Sequence, residues 1–308
     1  MEKRTMQIPS VDGIHQLHVV IWKPQEVKAI LQISHGMIEY VERYEEFAAY
    51  LTERGFLVVG NDHLGHGMTA GCDEDLGYFC EEKSAAVVED LHHVTLEMKK
   101  QYPNVPYFLF GHSMGSFMAR RYLMTYGQEL TGAIICGTGR QKPLVLATAK
   151  FINGVIGLFR GERYRSDVMQ KLAFGTYNKR IPNLRSDNDW LTRDEQIIDM
   201  YNAHKHCMFI FTVNGYRTLF DALTFIQKKE NIAKLRKDLP VFMVAGAQDP
   251  VGDYGKGVIE VYESYKKHGI KDISLKLYEE DRHEILNELD RATVYEDLAK
   301  WLLSKMPQ

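Results

Sequence analysis

The stretch Phe108-Leu109-Phe110-Gly111-His112-Ser113-Met114-Gly115 constrains this 308-residue chain more than any other. An apolar strand pattern runs straight into Gly-x-Ser-x-Gly, and a helical pattern over 117–126 follows it. A strand that turns at once into a helix holds the turning residue in a strained backbone conformation and lifts its side chain clear of the sheet edge. Side chains two residues to either side would collide across the turn, so both of those positions are glycine. Ser113 then stands at a helix N-terminus, with the N–H of Met114 aimed at any oxyanion that forms there.

The rest of the chain supplies a sheet for that turn. Short apolar segments at 14–22, 29–33, 56–59, 107–110, 133–136, 241–245 and 273–277 read as strands. Helical spacing marks 44–54 and 84–100, a helix through Val258, Val261, Tyr262 and Tyr265, and a last helix through Val294, Tyr295, Leu298, Trp301 and Leu302. Thr293 and Glu296 have the spacing of a capping box for that last helix. Strands alternating with amphipathic helices predict an α/β fold, a mostly parallel central sheet flanked by helices. Residues 140–230 break the rhythm and read mainly as helices. The expected organisation is therefore a core of 1–139 and 231–308 with a helical cap, 140–230, inserted between two strands.

A serine at such a turn needs a histidine as base and a carboxylate to orient it, in the chain order serine, acid, histidine. Asp249 follows the strand at 241–245, where open α/β sheets bind their ligands. His283 follows the final strand and is the last histidine of the chain. Asp253 reads instead as a cap for the next helix, and Asp281 is too near His283 in sequence to reach its Nδ1. The loop Ser34-His35-Gly36-Met37 after the 29–33 strand offers a second backbone donor, Met37, beside Met114. Catalytic candidates are thus Ser113, Asp249 and His283, with Met37 and Met114 as oxyanion donors. This chemistry requires no metal and no organic cofactor.

Composition narrows the field further. With 38 basic and 41 acidic residues the net charge is −3, which argues against a nucleic-acid binder. The charge is uneven: between Arg140 and Arg180, nine basic residues face only Glu162 and Asp167. That run overlaps the longest apolar stretch, 144–159, which at 16 residues falls short of the roughly 20 that span a bilayer. Apolar and basic residues together suggest a cap that covers an acyl chain or meets lipid surfaces, although packing onto the core and pairing with its acidic residues would use them equally well. Residues 1–7 contain no apolar stretch of the kind found in a secretory signal. Cys72, Cys80, Cys136 and Cys207 lack metal spacing and read as reduced thiols, so a cytoplasmic setting is expected. The sequence sets no oligomeric state. His63 and His66 lie in a loop shaped by Gly65 and Gly67 rather than in a ligand cluster. His92, His93, His204 and His206 read as surface residues.

The blocks His35-Gly36-Met37 through Arg43-Tyr44, Asp62 to Gly67, Gly111 to Gly115, and Arg282-His283-Glu284 through Asn287-Glu288 together resemble the α/β-hydrolase superfamily. More narrowly they resemble its monoacylglycerol-lipase, lysophospholipase and serine-aminopeptidase group. The resemblance covers about 10–139 and 231–308 and implies the same triad. Many relatives have a histidine in place of Tyr40 and an arginine in place of Leu64. The expected activity is hydrolysis of a small-molecule acyl ester, a monoacylglycerol or lysophospholipid foremost, through an acyl-enzyme. One alternative is an aminopeptidase-like amidase with the same triad, which needs a carboxylate such as Glu39, Glu162 or Asp194 for the substrate amine. Another is a non-catalytic ligand-binding protein on this scaffold, which an intact triad disfavours.

Overall fold

The computed structural model describes residues 1–81 and 83–306, so the last two residues of the segment read as core, 307 and 308, lie outside it. Strands β1 (Glu2–Pro9) and β2 (Gln16–Lys23) form an antiparallel hairpin. β3 (Ala29–Ser34) is followed by α1 (Glu45–Thr52) and β4 (Phe56–Asn61), and α2 (Ser84–Gln101) leads to β5 (Tyr107–His112). α3 (Met114–Tyr126) and β6 (Gly132–Cys136) come next. Then come α4 (Pro143–Arg160), α5 (Asp167–Phe174), α6 (Glu195–Ala203), α7 (Val213–Gln227) and α8 (Lys229–Ile232). β7 (Val241–Gly246), α9 (Lys256–Lys267), β8 (Ile273–Tyr278) and α10 (Arg291–Ser304) complete the chain.

The eight strands make one sheet in the order β1-β2-β4-β3-β5-β6-β7-β8. From β4 to β8 every pairing is parallel; the β1 and β2 pairings are antiparallel. β3 through β7 are buried along their whole length, which explains their unbroken apolar runs. Alternation along each strand divides the core. Leu109, Ala133 and Met243 pack with α2, α3 and α9, whereas Phe108, Phe110, Ile134 and Val244 pack with α1 and α10.

Several expectations need correction. β1 is a full strand although its side chains are mostly exposed; it is held by its backbone register with β2. α10 starts at Arg291, with Asp290 before it, so Thr293 lies inside the helix and forms no capping box. Asp253 does not cap α9 with its side chain; it belongs to a left-handed turn, Asp253-Tyr254-Gly255, that delivers the chain to Lys256. α3 begins at Met114, three residues before the expected start. α4 has 18 residues, because Pro143 and Arg160 extend the apolar run, and by length and composition it could cross a membrane.

The turn after β5 depends on close backbone approach. A Cβ on Gly115 would lie 2.0 Å from the carbonyl oxygen of Ser34, and one on Gly111 would lie 2.5 Å from that of Gly115. These obstacles are backbone atoms and cannot rotate away. Gly115→Ala is therefore expected to cost about 3 kcal/mol. Urea unfolding followed by circular dichroism checks this, and a loss below about 0.5 kcal/mol would contradict the packing argument.

Candidate active site

Ser113 sits between β5 and α3 with φ 54° and ψ −120°, a conformation that costs a non-glycine residue energy. Its N–H donates to the carbonyl of Cys136 in β6, which fixes the turn against the neighbouring strand. Gly36, in the loop after β3, approaches so closely that a Cβ there would be 3.2 Å from Cβ of Ser113. Among the described residues, neither the Met37 nor the Met114 N–H donates to a protein acceptor. Both backbone donors are thus unspent, and that of Met114 directly follows the serine.

Asp249 and His283 arrive on the loops after β7 and β8, and both are buried. Nδ1 of His283 lies 2.9 Å from Oδ2 of Asp249 as an ion pair, and neither atom has a hydrogen-bond partner among the described residues. Oδ1 of Asp249 accepts from the N–H of Val251, which aims the carboxylate. The imidazole of His283 packs against His112, the residue before Ser113, with ring centres 4.7 Å apart. The structure therefore gathers the five residues singled out in the sequence at one end of the sheet.

It also reveals a buried charge network that the sequence did not. Glu39 accepts from the N–H of Gly36 and from the hydroxyl of Tyr44 through Oε1, and from Arg43 through Oε2. Arg43 forks onto both oxygens of Glu284, the neighbour of His283, at 2.6 and 2.7 Å. His112 lies between these loops, with Nε2 donating to the carbonyl of His283 at 3.2 Å and Nδ1 3.3 Å from Glu39. Both its ring nitrogens face acceptors. Burial opposes the charged ring, but the hydrogen bond and charge of Glu39 prevail and hold its pKa above the ordinary value. With His112 charged, the two carboxylates, the guanidinium and the imidazolium cancel.

His35, His63 and His66 behave differently. Nε2 of His35 accepts from the N–H of His63, and its Nδ1 donates to the carbonyl of Gly36. His66 donates to the carbonyl of Leu64 and accepts from the N–H of Ile38. Burial holds His35 down at about 4 and His66 at about 3, so these neutral rings brace the loop that carries Met37. His206, expected at the surface, is buried because it and His204 pack around the ring of Tyr40. Asp281 does not approach Nδ1 of His283; it binds Arg193 at 2.8 Å.

A family model described as serine aminopeptidase, S33, matches residues 25–290. A monoglyceride lipase from Rattus norvegicus is 28% identical over 292 residues, covering 91% of this chain and 84% of that protein. A monoacylglycerol lipase from Mycolicibacterium smegmatis is 24% identical and covers 99% and 100% of the two chains. Among solved structures, a thermostable carboxyl esterase from Bacillus coagulans in complex with glycerol superposes with TM-score 0.92 at 29% identity and full coverage of both chains.

One group near the site titrates in an accessible range. Burial, then the hydrogen bond to Asp290 and the charges of Glu288 and Asp290, push Asp281 up to about 8. Its folded pKa exceeds the unfolded value, so the stability it contributes is present in acid and is lost as pH rises through about 8. Asp281→Asn removes that loss. The variant should match the wild type near about pH 4 and be the more stable of the two near about pH 9. Urea midpoints across this range check it; a difference independent of pH would contradict the assignment.

Proposed function

Because the chain belongs to the serine aminopeptidase, S33, family of α/β-hydrolases, we propose that it cleaves monoacyl lipid esters, monoacylglycerols or lysophospholipids, through an acyl-enzyme on Ser113. It is a carboxylic ester hydrolase, like the lipases and the esterase it matches. The observation that carries the finer reading is the buried His283–Asp249 pair, 2.9 Å apart, with a strained Ser113 at the same end of the sheet and Gly36 close against it.

In this mechanism His283 takes the proton of Ser113 as its oxygen attacks the acyl carbonyl. The N–H groups of Met37 and Met114 hold the oxyanion, a contribution of roughly 3–4 kcal/mol for one donor alone. His283 then returns the proton to the departing alcohol, and a water activated by the same ring releases the acid. Asp249 keeps Nδ1 protonated and stabilises the imidazolium.

The amidase reading loses support because its three candidate carboxylates are engaged. Glu39 holds Gly36, Tyr44 and Arg43, Glu162 pairs with Arg217 at 2.8 Å, and Asp194 accepts from the start of α6 and from Arg291. A panel of monoacylglycerols, lysophospholipids and aminoacyl amides tests the substrate class. The lipid esters should turn over and the amides should not, and Ser113→Ala should lower ester turnover by at least about 10³-fold. Amide turnover without lipid-ester turnover would reverse the ranking.

Residues 140–230 serve in this reading as a lid that delivers lipid. Leu146, Ile152 and Ile156 of α4 pack inward, while Leu144, Phe151, Leu158 and Phe159 are 79, 72, 81 and 78% exposed. Arg163 and Arg165 are tied to the loop at 73–76. Lys142, Lys150 and Arg160 lie on or beside that helix in sequence and have no carboxylate partner among the described residues. An exposed apolar face with unpaired cations on the same helix fits an anionic lipid surface. Exchanging Phe151, Leu158 and Phe159 for serine should weaken binding to anionic vesicles by about tenfold or more while leaving a soluble short-chain ester unaffected. Unchanged vesicle binding, measured by co-sedimentation, would remove the lid's lipid role.

A further inference from the structure

The loop that carries His283 is held from the side of the insertion. The N–H of Glu284 donates to the carbonyl of Leu191 at 2.7 Å, and the N–H of His283 to that of Trp190 at 3.4 Å. Arg282 answers by donating to the carbonyls of Asp189 and Thr192. The indole of Trp190 packs on the imidazole of His283, with centres 4.9 Å apart and a tilt of 39°. The backbone on both sides of the His283 Cα is therefore bonded to a strap, 189–193, that belongs to neither helix nor strand.

Something must hold that strap, and the charges at its end do so. Arg193 donates to Glu288 through Nε and to both Asp281 and Asp290 through Nη2, at 2.7–2.9 Å. Its own N–H donates to Glu288 as well. The side chains of Asp281 and Glu288 are wholly buried, and the oxygens of the three carboxylates converge within 4.8 Å. Such a cluster is unfavourable without a positive charge inside it, and the Arg193 guanidinium occupies that place. Charged groups around it among the described residues include Arg282, whose N–H also donates to Glu288 and which feels the charge of Asp189, and Arg291, whose guanidinium reaches the Glu288 carbonyl and pairs with Asp194.

We propose that Arg193 is a positioning residue for ester hydrolysis: by clasping Asp281, Glu288 and Asp290 it keeps the strap on the loop of His283 and so fixes the angle of that ring towards Ser113. The proposal rests on the reading of His283 as the base. It makes part of the catalytic geometry the property of a residue that touches no substrate and lies in the insertion. Rates fall steeply with small displacements of a reacting group, whereas the binding of a small substrate need not change.

Arg193→Met and Arg193→Lys, assayed on a soluble p-nitrophenyl ester, test it. Arg193→Met should lower kcat on the order of 10- to 100-fold with KM within about twofold. It should also slow fluorophosphonate labelling of Ser113 by a similar factor. Because Asp281 is left among like charges once the guanidinium is gone, the deficit relative to wild type should shrink as pH falls from about 9 to about 6 and Asp281 takes up a proton. Free guanidinium at non-denaturing concentration should restore part of the rate, and Arg193→Lys, which keeps the charge without the fork, should fall between. Should Arg193→Met fail to fold, Asp290→Asn removes one half-exposed partner; its kcat should drop about threefold, again with KM unchanged. A kcat within about twofold of wild type for each folded variant, or a loss that neither pH nor guanidinium moves, would overturn the proposal. If those variants are silent while His283→Ala abolishes turnover, this inference alone fails. If His283→Ala retains turnover, the reading beneath it fails.

Discussion

The approach of α3 to the end of β3 is the constraint on which the site depends. Gly115 brings the helix start so near the Ser34 and His35 carbonyls that no side chain fits between. That contact forces Ser113 into its positive φ and presents its side chain beyond the sheet. It also sets the loop of Gly36 beside the serine. The strain at one residue is sustained by packing over the whole parallel sheet, whose buried strands tolerate little displacement.

A second layer of organisation is electrostatic. Glu39 fastens the loop after β3, Arg43 joins it to Glu284, and His112 bridges both loops from beneath. Buried charges are costly singly, but here each has an opposite partner with directed hydrogen bonds. On the far side of His283, Trp190 and Arg193 reach in from the insertion. The histidine thus touches both a charge network in the core and an aromatic and ionic clasp from the segment between β6 and β7.

The sequence disclosed the parallel body of the sheet because strands buried on both faces leave uninterrupted apolar runs. The turn at Ser113 was legible because backbone collisions demand glycine at 111 and 115. β1 escaped notice because its charged and polar residues face solvent and its pairing with β2 is a backbone matter. The partnership of Arg43 with Glu284 spans 241 positions, and no local pattern announces it. Likewise Trp190 lies in a segment with no periodicity, so its place over His283 follows only from the path of the strap. Asp290 and Arg291 were passed over as a helix start because the serine- or threonine-led capping signal appears one turn later, at Thr293.

The most direct test of the account is to find where the acyl group goes. After rapid acid quench during turnover of a monoacylglycerol, intact-protein and peptide mass spectrometry should show one acyl adduct, located on the peptide containing Ser113. An adduct on another residue, or sustained turnover by the wild-type enzyme with no adduct trapped, would contradict it.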